Sequence, residues 1–173
     1  MAERLQIVDD CAAHVDEIAA ITRAAFEKEY SSGDGEVALI AALRADGDVA
    51  VELTALEDGV VVGHAMFSKL AVEPSSIRVA ALAPVSAVVD RQKSGIGSAL
   101  IREGLARCKA QGFDAVTVLG DPGYYGRFGF AREAARVLEC AYAGAHFQVL
   151  ALREGALRGG QWKLVYPRAF SSV

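Results

Sequence analysis

Apolar residues along this chain recur in two rhythms. Over residues 12–26 they fall at Val15, Ile18, Ala19, Ile21, Ala25 and Phe26, the spacing of one helix face, with Asp9 or Asp10 placed to cap its start. Residues 36–44 repeat that rhythm at Val37, Ile40, Ala41 and Leu43, and Asp46-Gly47-Asp48 ends it. The polar run 27–35 between them carries two glycines and reads as a loop. Residues 49–56 and 60–71 are β-rich and joined by Glu57-Asp58-Gly59, a hairpin signal. Residues 77–89 form a further strand interrupted by Pro84, which cannot donate to a ladder and so predicts a bulge or an edge. The clearest helix covers 96–111, with Ile96, Leu100, Ile101, Leu105 and Cys108 on one face and Gly112 behind it. Residues 114–119 predict a buried strand parallel to its predecessor, so that 77–119 make a β-α-β unit. One or two helical turns are expected at 124–128, and strands at 137–142, 147–153 and 160–166.

The loop between that strand and helix is the first candidate for chemistry. It reads Gln92-Lys93-Ser94-Gly95-Ile96-Gly97-Ser98. A loop entering a helix aims unpaired amides and the positive end of the helix dipole at one point, an arrangement that suits phosphate. A Walker A loop would need Lys-Ser/Thr after its last glycine, where Ser98-Ala99 stand. A dinucleotide fingerprint would need glycine at position 100, which is Leu100.

Composition narrows the classes. The 173 residues suit one domain over 1–173, and 53% apolar with 23% charged residues makes the chain globular. No apolar run reaches the roughly 18–20 residues of a membrane span, and the first ten residues do not read as a signal peptide. Cys11, Cys108 and Cys140 are too scattered for a zinc site or disulfide framework and read as reduced thiols of a cytoplasmic protein. A net charge of −4 argues against nucleic-acid binding and leaves a cationic partner open.

The pattern Q-x-x-G-x-G after an apolar strand, followed one strand later by Tyr125-Gly126-Arg127-Phe128-Gly129-Phe130 (Y-x-x-x-G-F), resembles the GNAT superfamily of acyl-CoA-dependent N-acetyltransferases. The run Val118-Leu119-Gly120-Asp121-Pro122-Gly123-Tyr124-Tyr125 places it nearest small stand-alone bacterial-type members, and the resemblance extends over nearly the whole chain. Family loops more often read Q-G-(K/R)-G-x-G; here Lys93 and Ser94 hold the middle positions, still supplying amides and adding a cation. The resemblance implies an α/β fold with a mixed, centrally splayed sheet flanked by helices. It implies an acetyl-CoA-dependent N-acetyltransferase that passes the acetyl group directly to a primary amine of a small molecule or peptide, without a metal. Family members are often homodimers. The amides of Gln92, Lys93, Ser94, Gly95, Ile96, Gly97 and Ser98 would hold the CoA pyrophosphate. Val85, Ser86 and Ala87 would align the pantetheine, and Tyr125 would lie beside the sulfur as general acid. A phenol, with pKa about 10, has a proton to give at neutral pH.

A general base is not provided by the strand 79–89, which has no ionisable side chain. His64 on the preceding hairpin strand is the substitute, since an imidazole titrates near 6.5; a structural histidine is its plainer reading. Glu27 and Glu29 either bind a cationic amine or are solvated surface charges, and nothing raises His14 or His146. Two other classes stay open: an acyl-CoA-binding sensor without turnover, and an α/β protein whose loop binds nothing.

Overall fold

The computed structural model of the chain describes residues 4–30 and 32–172. A six-stranded sheet is its frame. Strands β1 (Leu5–Val8), β2 (Val49–Glu57), β3 (Val60–Lys69) and β5 (Val79–Ala87) run antiparallel in that spatial order. β6 (Ala115–Leu119) then pairs parallel to β5, and β8 (Phe147–Ala151) closes the far edge antiparallel. Three short strands, β4 (Ala71–Glu73), β9 (Trp162–Val165) and β7 (Leu138–Glu139), make a second small sheet. The three strands expected after residue 136 are thus present but shorter, and they divide between the two sheets. The run 60–71 ends at Lys69, with 71–73 leaving for the small sheet.

Helices cover both faces of the frame. α1 (Val15–Tyr30) follows a 3-10 turn at Cys11–His14, and α2 (Asp34–Asp46) follows it almost at once. The expected loop at 27–35 is therefore mostly helix. Polar residues there do not break the turn, and Gly33 is needed for proximity, since a Cβ on it would lie 2.3 Å from the Arg23 Cα. Asp10 makes no capping bond through its side chain, and Asp9 instead pairs with Arg107 at 2.9 Å. On the other face, α3 (Ile96–Ala110) buries the predicted stripe. Gly104 extends that stripe because the Phe67 ring occupies its side-chain space, 2.1 Å from where a Cβ would stand. Gly112, at φ +88°, closes α3: its amide donates to Lys109 O and that of Phe113 to Cys108 O, satisfying two terminal carbonyls.

β3 shows how one strand serves both layers. Val62, Ala65 and Phe67 pack under α3, whereas Val61 and Met66 pack under α1 and α2. The expected bulge lies in the adjoining ladder. Ala65 faces Val85 and Phe67 faces Leu82, so Ala83 and Pro84 together oppose Met66. On its other side β5 pairs with β6 only from Val79↔Ala115 to Leu82↔Val118. Beyond that the two strands part. The sheet splays, and the opening becomes a cleft of about 1730 Å³.

Candidate active site

The cleft has two arms that meet where β5 and β6 separate. One wall is the bulged half of β5, with Ala83, Pro84, Val85, Ser86 and Ala87; the other is the end of β6 from Thr117 to Gly120. At one arm stands the start of α3. Gly95, at φ +91°, precedes its first turn, no side chain caps it and no acidic residue lies in that turn. A 15-residue helix thus presents uncapped amides to the opening, where an anion would be stabilised by direct hydrogen bonds and the dipole. Gln92, Lys93, Gly95, Gly97 and Ser98 all line this arm. Gln92 reaches back with its amide nitrogen to Ala87 O at 3.4 Å, tying loop to strand. Lys93 adopts φ +67°, a left-handed conformation that glycine takes without cost. Two of the expected loop residues point elsewhere: the Ile96 side chain is core, 2% exposed, and Ser94 is exposed off the cleft wall.

Between the arms sits an aromatic group. Asp121 caps the short helix α4 (Pro122–Tyr125) through a bond from the Gly123 amide at 3.1 Å, and proline occupies the first turn. Tyr124 and Tyr125 meet edge to face at 4.9 Å, and Tyr125 continues onto Phe130 at 5.9 Å. Gly120 makes room for the Tyr125 ring, whose Cε2 lies 2.5 Å from the position of an added Cβ. Tyr125 lines the cleft, and so does Tyr124, which was not expected there. The Tyr124 hydroxyl lies over the first turn of α3, 3.2 Å from where a Cβ on Gly97 would stand. Arg127 stacks on Tyr124, with Cζ 4.5 Å from the ring centroid.

His64 is elsewhere. Its side chain is fully buried under α1 and α2 and does not line the cleft. Direct proton abstraction by His64 from a molecule in the cleft, as the sequence suggested, is therefore corrected. Its Nε2 meets Glu52 Oε1 at 2.9 Å, and the same carboxylate takes the Arg44 guanidinium. Burial pushes the Glu52 carboxyl up, but hydrogen bonds from His64 and Arg44 and their charges outweigh it and hold it below the ordinary value. His64 Nδ1 has no partner among the described residues. Across the ladder His64 faces Ser86, a cleft residue whose hydroxyl lies 3.4 Å from that of Thr22.

The second arm lies between α2 and the C-terminal segment. Ser32, Glu36 and Leu39 line it from one side, Tyr142, Tyr166 and Phe170 from the other. Glu27 is exposed and off the wall, and the Glu29 side chain lies outside the described residues. Glu36, on α2, is the carboxylate that lines this arm among the described residues. The Tyr166 hydroxyl meets Thr117 Oγ1 at 2.8 Å, and burial pushes it above the ordinary phenol value. Nothing local in the sequence joins Tyr142 to Tyr166 and Phe170, which lie in a later segment together with Trp162. Asp121-Pro122, a cap followed by a first-turn proline, was a readable sign of the helix that carries Tyr124. The cysteines take no part: burial raises the Cys11 thiol to about 11 and that of Cys108 to about 12. Among the described residues no three His, Cys, Asp or Glu side chains stand close enough to hold a metal, and no helix is long and apolar enough to cross a membrane.

A splayed sheet with an uncapped helix start in its opening and a tyrosine between the arms defines a class. The chain belongs to the GNAT family of N-acetyltransferases: it matches the acetyltransferase (GNAT) domain over residues 11–132. It is 34% identical over 157 residues to the uncharacterised N-acetyltransferase YhbS of Escherichia coli (strain K12), covering 89% of this chain and 91% of that one. The crystal structure of E. coli YhbS in complex with CoA superposes with a TM-score of 0.89 at 32% identity, covering 99% and 94% of the two chains. A GNAT family acetyltransferase from Brucella melitensis in complex with acetyl-CoA gives a TM-score of 0.81 at 35% identity, covering 98% and 99%.

Proposed function

We propose that this enzyme transfers an acetyl group from acetyl-CoA directly to a primary amine of a small molecule or peptide. The observation that carries the reading is the parting of β5 and β6 after Leu82↔Val118, with the uncapped start of α3 at one end of the opening. The pyrophosphate of CoA lies against the amides of the 92–98 loop, with Lys93 and Arg127 the nearby cations. The pantetheine runs along Val85, Ser86 and Ala87, and a backbone amide there polarises the thioester carbonyl. The neutral amine attacks that carbon, the C–N bond forms, and the tetrahedral intermediate expels the thiolate. Tyr125 protonates the departing sulfur.

His64 enters this reading one step behind the cleft. Its Nε2 meets Glu52 and, across the ladder, it faces Ser86 on the cleft wall. Side chains paired across a ladder have Cβ atoms about 5 Å apart, so His64 backs the position of Ser86 on the cleft wall and does not meet the amine. A raised amine KM in His64→Gln with little change in the acetyl-CoA Kd is the expected sign, and unchanged kinetics remove His64 from the reaction.

The test of the reading is calorimetric titration with acetyl-CoA and with CoA, followed by thiol-release assays on amines. Micromolar or tighter binding with release is expected. Binding without release in any amine screen would favour a sensor, and absence of binding would end the reading.

A further inference from the structure

The cleft is lopsided in charge. Towards α3 its charged wall residues include Lys93 and Arg127, both cations, while the Asp121 carboxylate between the arms is engaged as the cap of α4. In the second arm the described wall residues offer one carboxylate, Glu36, and no cation. Apart from Ser32, the side chains around Glu36 are apolar or aromatic: Phe26 and Leu39 from the helices, Tyr142, Tyr166 and Phe170 from the C-terminal part. The last three form one continuous edge-to-face stack. Tyr142 meets Tyr166 at 4.7 Å and 73°, and Tyr166 meets Phe170 at 5.2 Å and 83°. The bond from Tyr166 to Thr117 pins the central ring to β6, so the stack is a fixed surface and not a loose cluster.

These features select among amines. A polyamine would bring a second and third ammonium to a wall with a single carboxylate and would leave them desolvated without partners. An aminosugar would bury hydroxyls against rings that offer few acceptors. A phosphorylated amine would meet Glu36 and no cation. A monocation with a flat apolar body satisfies both parts: the ammonium pairs with Glu36 on arrival, and the body lies on the stack. Resting on the acetyl-transfer reading above, we propose that the acceptor is a small arylalkylamine-type primary amine, with Glu36 and the Tyr142–Tyr166–Phe170 stack as its specificity determinants. The nitrogen loses a proton and forms the C–N bond, the tetrahedral intermediate then breaks its C–S bond, and the sulfur takes a proton and leaves as the CoA thiol.

The test uses the full chain with saturating acetyl-CoA and follows thiol release. The probes are 2-phenylethylamine, spermidine, glucosamine 6-phosphate and a dipeptide with N-terminal phenylalanine. kcat/KM for 2-phenylethylamine is expected to exceed the other three by about tenfold or more, the scale of one well-placed charge and one buried ring. Glu36→Gln should raise the KM for 2-phenylethylamine about tenfold while its acetyl-CoA affinity, which also reports folding, stays within about twofold. Phe170→Ala should raise the same KM by a smaller factor. Spermidine, the sugar phosphate or the dipeptide used as well as 2-phenylethylamine overturns the inference, as does an unchanged KM in Glu36→Gln. Acetyl-CoA binding with no release from 2-phenylethylamine also overturns it and leaves the family's cofactor reading intact. Failure to bind acetyl-CoA brings down both.

Discussion

In the arm of the cleft at α3, backbone amides carried by glycines and by the end of a strand dominate what a ligand would meet. In the arm at α2 the facing groups are side chains: a carboxylate and several rings drawn from the first helices and the C-terminal part of the chain. Backbone recognition suits a part of the ligand that is always the same, because amides are supplied by nearly any sequence that can make the turn. Side-chain recognition suits the part that differs between relatives, because each ring or charge can be replaced without disturbing the frame. The two arms therefore have different tolerances, and mutations can separate them.

The largest effect is expected at the α3 arm. Gly97→Asp should abolish acetyl-CoA binding in a folded protein, because its Cβ would meet the Tyr124 hydroxyl at 3.2 Å and its carboxylate would occupy the anion's place. Calorimetry with circular dichroism checks this, and retained affinity would mean that the amides are not the cradle. Tyr125→Phe lies at the junction of the arms. It should lower kcat by about 10²-fold with little change in the Kd for acetyl-CoA. Single-turnover rates at wild-type level would leave the tyrosine as packing only.

A smaller effect tests whether the α2 arm is anchored from below. Arg44, on α2, pairs with Glu52 on β2. Arg44→Leu leaves that partly buried carboxylate with only His64 and should cost about 1–3 kcal/mol, raising the amine KM more than the acetyl-CoA Kd. The folded Glu52 carboxyl is held below its unfolded value, so its stabilising contribution is complete above about pH 4.3. It is lost as the pH falls through the lower folded value, and Arg44→Leu should narrow that loss. Thermal melts from pH 7 to pH 3 measure both; parallel curves for the two proteins would detach Glu52 from the acid transition. The smallest effect is Lys93→Gly. It keeps the amide and removes one exposed charge, worth about threefold in acetyl-CoA affinity at low salt and less as salt rises.

The same contrast explains what could be read in advance. The loop and helix start of the α3 arm were legible because they form one local run, Gln92 to Ser98, next to a strand whose Pro84 announced a bulge. The hairpin at Asp58-Gly59 and the α3 stripe were legible for the same reason. The α2 arm was not, because Glu36, Tyr142, Tyr166 and Phe170 meet only after the chain has folded. The 27–35 stretch reads as loop, but α1 runs to Tyr30 and α2 begins at Asp34, because polar residues do not by themselves end a helix. His64 looked accessible because strand alternation cannot show that α1 and α2 cover its face. The Arg44–Glu52–His64 set is drawn from α2, β2 and β3, with no spacing that would betray it.

The parting of β5 and β6 has a consequence for local breathing. In hydrogen-exchange terms the amides of Ala83 and of Val85 to Ala87 lack the second ladder that shields Val79 to Leu82, although all lie on one strand. An acyl carrier that pairs along that edge would act as a temporary extra strand. Its arrival should be written as slowed exchange in the second half of β5, and its departure as the return of a seam down the middle of the sheet.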